Sequence, residues 1–429
     1  MCIDVGVQEH PVRLLVEDDL HRNRWTVFFR ILLAIPHFIW VFLWTIAVFF
    51  AAIALWLATL IRGTPPQGLH RFMCSYLRYQ VHLSSYLTFA ANPYPRFAGE
   101  AGTYPIDVTF PEPVQQGRWS VFFRFFVALP ALFVSSALGG SGGTRFSWSR
   151  SRRAYAVSGG GALTSTCAVL GWFACLARGR MPKGLRDAAV YAIGYSAQAG
   201  AYLLLVTDRY PNADPTAMLA GVDRPPEHPV RLVGDPHDLR RSRVTVFFRL
   251  LLTIPHYVWL ELWGIALVFA VIANWFVTLF RGTPARPLHR FAAAYLRQRL
   301  HVLAFLTLTA NPFPGFVGES GRYPIDLELP ESARQNRWKT FFRLFLAIPA
   351  FLVTVALDGA LFCCAFLTWF YALAKGSAPW GLRNLAAYAL RYDAQTAAYF
   401  LLITDAYPHA SPLEGAPTPQ HEFAEAEAA

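Results

Sequence analysis

The sequence predicts a mainly α-helical integral membrane protein of four repeated helical units. Each unit is a long kinked apolar segment or hairpin plus an amphipathic helix, preceded by a short β-strand. Three observations carry this. Between Arg30 and Arg62, 31 residues bear no formal charge, and only Pro36, His37 and Thr45 interrupt the apolar run. A helix needs only ~20 apolar residues to cross a bilayer, and in water such a helix would have to be buried on every side. The segment also recurs: Arg249–Arg281 repeats it closely, while RFFVALP (Arg124–Pro130) and RLFLAIP (Arg343–Pro349) open two further copies. Finally, 55% of residues are hydrophobic and the mean hydropathy is +0.32, values typical of a multi-span membrane protein.

The net charge of +11 comes from 38 Lys+Arg against 27 Asp+Glu, and only three of the basic residues are lysine. This arginine bias is that expected of a GC-rich bacterial genome. Arginines flanking apolar segments mark loops beside anionic lipid, and no basic run with interleaved aromatics stands clear of those segments, which argues against nucleic acid. The six cysteines lie mostly in apolar stretches without paired spacing, so they read as small hydrophobes. The opening MCIDVGVQEHPVRLL has no basic region followed by an apolar one, so insertion is expected to rely on internal segments.

A shift of 219 superimposes Pro36 on Pro255, His37 on His256, Arg62 on Arg281, Asn92 on Asn311 and Tyr104–Asp107 on Tyr323–Asp326. A weaker shift of 94 places Trp25 on Trp119 and Pro36 on Pro130. The expected organisation is a first half, 1–211, with units near 10–97 and 105–212, then a linker, 212–227. The second half, 228–409, holds units near 228–316 and 323–409, and a disordered tail covers 410–429.

Each unit opens on an alternating segment such as Pro11–Val16 or Tyr323–Leu329, suited to a short strand outside the membrane. The long apolar segment follows and ends at RGTPPQGLHR, RGRMPKGLR, RGTPARPLHR or KGSAPWGLR, where Gly and Pro break the helix and Arg sits at headgroup depth. A second helix then runs to a closing turn such as Asn92-Pro-Tyr-Pro. Trp172 maps to Trp369 at a shift of 197, so 22 extra residues, rich in Gly, Ser and Arg, fall around Gly139–Gly161. Their four arginines are costly at mid-bilayer. The apolar segment is therefore expected to break near Trp44 and Thr45, forming a hairpin with the second helix at the interface; a single tilted span is the other topology. Either puts the strands in the cytoplasm, on the plasma (inner) membrane.

In the PVRL, FFRxLLAIPH and W…RG…PxGL elements closing on YPxF, the chain resembles a bacterial integral membrane family catalogued as domain of unknown function 4389. The resemblance is good over 10–97 and 228–316 and weaker elsewhere, where Ala131 and Ala350 replace the histidine after proline. It implies a commonly duplicated integral membrane domain and brings no activity, ligand or catalytic residue.

Arg78 and His82 lie one helical turn apart, as do Arg297 and His301, and Arg391 and Gln395. This stripe offers donors for a lipid phosphate or another anion; a merely hydrated helix face is the plainer reading. Pro36-His37 and Pro255-His256 are candidate kinks with a proton-sensitive histidine. Glu261 and Asp358 are acids inside apolar segments without counterparts in the other copies. No GxSxG, HExxH, P-loop or GxGxxG pattern occurs, so no catalytic, cofactor or metal site is expected. The expected function is a non-catalytic membrane scaffold or lipid-associating protein; the alternative is a transporter or channel component. Anionic membrane lipids are the expected partners, with a second copy or another membrane protein as further candidates.

Overall fold

The computed structural model describes residues 10–139, 163–219, 221–234 and 239–415. The chain divides into two compact units, Met1–Val222 and Asp223–Ala429, each built on the same plan.

In the first unit, β1 (Arg13–Val16) is followed by three helical pieces, α1 (Arg24–Phe28), α2 (Arg30–Leu33) and α3 (Ile35–Arg62). Backbone bonds from Leu33 to Phe29 and from Phe38 to Ala34 carry the helix across the joints. Pro36 sits in the first turn of α3, where its missing N–H costs nothing. Gly63, at φ +79, ends the rod in a left-handed conformation a side chain would strain, and its N–H bonds Thr59. Next come α4 (Gln67–Leu87), β2 (Ile106–Thr109), α5 (Arg118–Phe122), α6 (Arg124–Gly139), α7 (Leu163–Arg178), α8 (Lys183–Leu203) and α9 (Pro215–Met218). β2 pairs antiparallel with β1, Leu14 opposite Val108.

These elements form three layers. The β1–β2 sheet lies over the middle of α4 and α8: Arg78, midway along α4, bonds the Val108 carbonyl at 3.3 Å, and a Cβ on Gly194, midway along α8, would meet Leu14. Beneath, the middle of α3 packs on the middle of α4 through Trp44, Tyr76 and Tyr79, and Ser135 of α6 bonds Ser196 of α8. The central helices are enclosed, α8 along nearly its whole length. Burying side chains such as Tyr191, Val190 and Met73 supplies roughly 1.5–3 kcal/mol each. On the far side from the sheet, α3 exposes Phe38, Phe42, Ile46, Phe49, Ile53, Leu57 and Ile61, a continuous apolar stripe.

The second unit repeats the order with β3 (Arg231–Gly234), α10 (Arg243–Arg281), α11 (Arg286–Leu306), β4 (Ile325–Glu328), α12 (Arg337–Phe341), α13 (Arg343–Lys375) and α14 (Trp380–Phe400). β3 pairs antiparallel with β4. Three helical rods, Arg30–Arg62, Arg243–Arg281 and Arg343–Lys375, are long and apolar enough to cross a membrane.

Several expectations need correction. No hairpin forms in these rods: α3 runs unbroken through Trp44 and Thr45, and α10 runs unbroken past Pro255. The break occurs only between α6 and α7, where Thr164 Oγ bonds the Gly139 carbonyl at 2.6 Å, so α7 takes up the helix where α6 leaves it. The insertion itself lies outside the described residues. Among the described residues the strands pair two by two, one sheet per unit. The polar positions of the second helices face the sheet layer (below). Linker residues 212–219 are ordered, with α9 capped by Asp214 and Met218 buried against Gly194 and Gln198. In the tail, Ala410, Ser411 and Leu413 are buried, while 416–429 lie outside the described residues.

Candidate functional site

The recurring polar residues serve two internal tasks in each unit. The first is to cap the second helix. Those helices end at Leu87, Leu203, Leu306 and Phe400, and shortly after each a non-glycine residue turns left-handed: Phe89, Leu205, Leu308 and Leu402. Such turns leave carbonyls unpaired at the negative end of the helix. Buried arginines meet them. Arg30, 1% exposed, donates to the Tyr86 carbonyl at 2.7 Å and the Ala91 carbonyl at 3.2 Å. Arg249 donates to Phe305 and Ala310, Arg343 to Tyr399 and Thr404, and Arg124 to Thr207. Each guanidinium also lies 4.1–4.6 Å from an aromatic ring of the helix it caps. The carbonyl of the left-handed residue is held by Arg22, Gln116, Arg241 or Gln335. From the sequence, Arg30 and Arg124 read only as charges bounding an apolar run; their recurrence in FFR was the available signal.

The second task is to clamp the sheet. His82 Nε2 lies 3.1 Å and Arg78 Nε 3.2 Å from Asp107 Oδ1 on β2. His301 is 3.1 Å and Arg297 3.9 Å from Asp326 Oδ1 on β4. Burial pushes both carboxyls up, but the histidine bond and the N–H groups of Gly102 and Val108 (Gly321 and Leu327 in the second unit) outweigh it and hold them below the usual carboxylate range. On the other central helix, Gln198 Nε2 donates to the Val12 carbonyl at 3.0 Å, Gln395 to Val230 at 3.2 Å, and Arg391 to Ser411 at 2.6 Å. Of the predicted stripe, Arg78, His82, Arg297 and His301 thus face a carboxylate of the chain itself, whereas Arg391 and Gln395 bond backbone carbonyls.

With this geometry in hand, the profile described as "Domain of unknown function (DUF4389)" matches residues 24–99, 243–317 and 337–411, more than half of the chain. The chain belongs to the DUF4389 family. No curated protein and no solved structure matches it significantly. Each DUF4389 segment runs from the RW or RV pair opening the long rod to just past the closing turn, so it contains one capping arginine and one capped helix.

The two proline-linked histidines of the DUF4389 segments sit in aromatic boxes. His37 Nδ1 is 2.6 Å from the Tyr79 hydroxyl, its ring 4.5 Å from Tyr94 and from Phe97. His256 stacks on Phe316 at 4.3 Å, and both its ring nitrogens are buried without a hydrogen-bond partner among the described residues. Among the described residues neither ring is paired with a carboxylate.

One place differs sharply between the units. In the first, a half-open groove of about 520 Å³ lies between α4 and α8, bordered by Val48 and by the meeting point of α6 and α7. In the second, the equivalent positions carry charge. Arg299 of α11 makes two contacts of 3.0 Å to the carboxylate of Asp393 on α14, with Asp358 of α13 nearby. Among the described residues no group of three or more His, Cys, Asp or Glu has metal-site geometry.

Proposed function

We propose that this DUF4389 chain is a non-catalytic, lipid-associating membrane scaffold of four repeat units, the fourth being residues 105–212. Each half lies with its long rods in the apolar layer of one leaflet and its sheet toward water. The observation that carries this is the order of layers. The sheet covers the midpoints of α4 and α8, opposite the exposed apolar stripes of the long rods. Rods set along the bilayer normal would carry the sheet, with exposed Arg13 and Glu17, to mid-bilayer, at several kcal/mol per charge. Rods lying in the plane leave the sheet in water, the arrangement of interfacial helices.

Rod length supports the same reading. The 39 residues of α10 extend ~58 Å, about twice the ~30 Å hydrocarbon core. Trp25, Trp119 and Trp338, 75–78% exposed beside Arg24, Arg118 and Arg337, suit the headgroup boundary. The basic excess favours anionic lipid and the cytoplasmic face of the plasma membrane. One observation favours the transport alternative, the Arg299–Asp393 pair beside Asp358 amid apolar rods. Against it, the Arg/His stripe that motivated transport faces the sheet.

Cysteines placed singly at Arg24 and Arg62, the two ends of one rod, test the proposal in a cysteine-free background. Both should react with an impermeant maleimide from the same side of sealed vesicles. Labelling from opposite sides would mean that the rod crosses.

A further inference from the structure

We propose that the first-half groove is a binding site for an uncharged lipid bearing a hydroxyl group, of the acylglycerol or isoprenoid-alcohol kind. The inference rests on the membrane reading above and deepens it.

The site exists because of particular substitutions between the halves. Ser84, Thr164, Ser165 and Gly200 line the groove, and the second half has Leu303, Leu361, Phe362 and Ala397 at the matching positions. Gln80 and Ser196, also lining it, become the Arg299–Asp393 ion pair. One half thus fills this space with larger side chains and paired charge, and the other leaves about 520 Å³, within the usual size of a small-molecule site. Val48 of α3, Ser135 of α6 and Ala168 of α7 line the groove, which places it between the long rods. In the first half α3 meets the partner rod at its end, where Trp56 Nε1 donates to the Val121 carbonyl at 3.0 Å, and α3 and α6 do not pack along their middles. In the proposed orientation the groove therefore opens onto acyl chains, and its occupant is a lipid.

The lining selects among lipids. Among the described residues it holds no formally charged side chain, so a phosphate or carboxylate head would find no ionic partner there. Four of its polar side chains donate internally. Gln80 Nε2 donates to the Tyr76 hydroxyl, Ser135 to Ser196, Ser196 to the Ala192 carbonyl and Thr164 to the Gly139 carbonyl. What remains is the second N–H of Gln80 and acceptor capacity on their oxygens, and a ligand hydroxyl, donor and acceptor at once, satisfies both.

Native mass spectrometry of the full-length protein in mild detergent tests this, with diacylglycerol and a long-chain prenol as separate arms. Triacylglycerol, prenyl acetate and phosphatidylglycerol serve as controls. One or both alcohols should be retained over the controls, and the arm that binds names the source. Ser84→Leu/Ser165→Phe, which installs the second half's residues, should reduce retention about tenfold or more. Gln80→Arg/Ser196→Asp should do the same by charge, and covers the case in which the first variant fails to fold. Equal retention in a folded filling variant, or no preference for the hydroxyl over its blocked form, would overturn the site. Flotation with phosphatidylglycerol vesicles, run in parallel, separates the two claims. Lost flotation sinks the membrane reading, whereas intact flotation without alcohol retention sinks the groove alone.

Discussion

The two halves agree at their helix ends and differ at their centres. Both cap each second helix with a buried arginine and hold a sheet aspartate with a histidine, so these devices belong to the fold. At the centre, Gln80 and Ser196 stand in one half where Arg299 and Asp393 stand in the other. A position free to be a neutral groove or an ion pair is not needed to build the architecture. That difference is where function is expected to reside.

Breaking the shared devices should have the largest effect and should not distinguish the halves. Arg30→Met and Arg249→Met each remove a buried cation from two backbone carbonyls and leave those groups unpaired. Each should cost about 3–5 kcal/mol, read as a loss of thermal unfolding temperature in detergent. A large effect in one half only would mean that the cap is not a common device.

The centre should respond unequally. Arg299→Leu strands Asp393, whose side chain is 12% exposed, and should destabilise by about 3 kcal/mol. Gln80→Leu should cost about 1 kcal/mol or less. The pair Arg299→Gln/Asp393→Ser, which copies the first half, should recover most of the loss in a double-mutant cycle. Additive losses would show that the two side chains are not coupled.

Acid should act on both halves alike. Asp107 and Asp326 are held below their unfolded value near ~3.9. Their stabilisation is therefore complete above that value and is lost as pH falls through the lower folded value. Melting temperature should fall below about pH 4, and Asp107→Asn/Asp326→Asn should flatten that acid limb. An unchanged limb in the double variant would assign the acid sensitivity to other groups.

How much of this was legible follows from the range of each interaction. The rods, their glycine stops at Gly63, Gly282 and Gly376, and the stripe positions Arg78, His82, Arg297 and His301 are local patterns in the chain. The partners of the stripe are not local. Asp107 lies 25 residues from His82, and the Tyr-Pro-Ile-Asp segment repeated beside it without revealing the contact. Arg30 bonds carbonyls 56 and 61 residues away, and no periodicity distinguishes such a cation from one bounding a membrane span. The hairpin expectation took the insertion after Gly139 as a rule for every copy, whereas only the α6–α7 rod is interrupted. The sheet's place over the helix midpoints, which sets the proposed orientation, depends on tertiary packing alone.

Polarised infrared spectroscopy of the protein in aligned phosphatidylglycerol-containing bilayers addresses that orientation most directly. In an α-helix the amide I transition lies close to the helix axis, and α3, α10 and α13 together contribute 28, 39 and 33 residues to the band. The account predicts helical amide I dichroism with the transition in the membrane plane. Dichroism placing the long rods along the bilayer normal would contradict it.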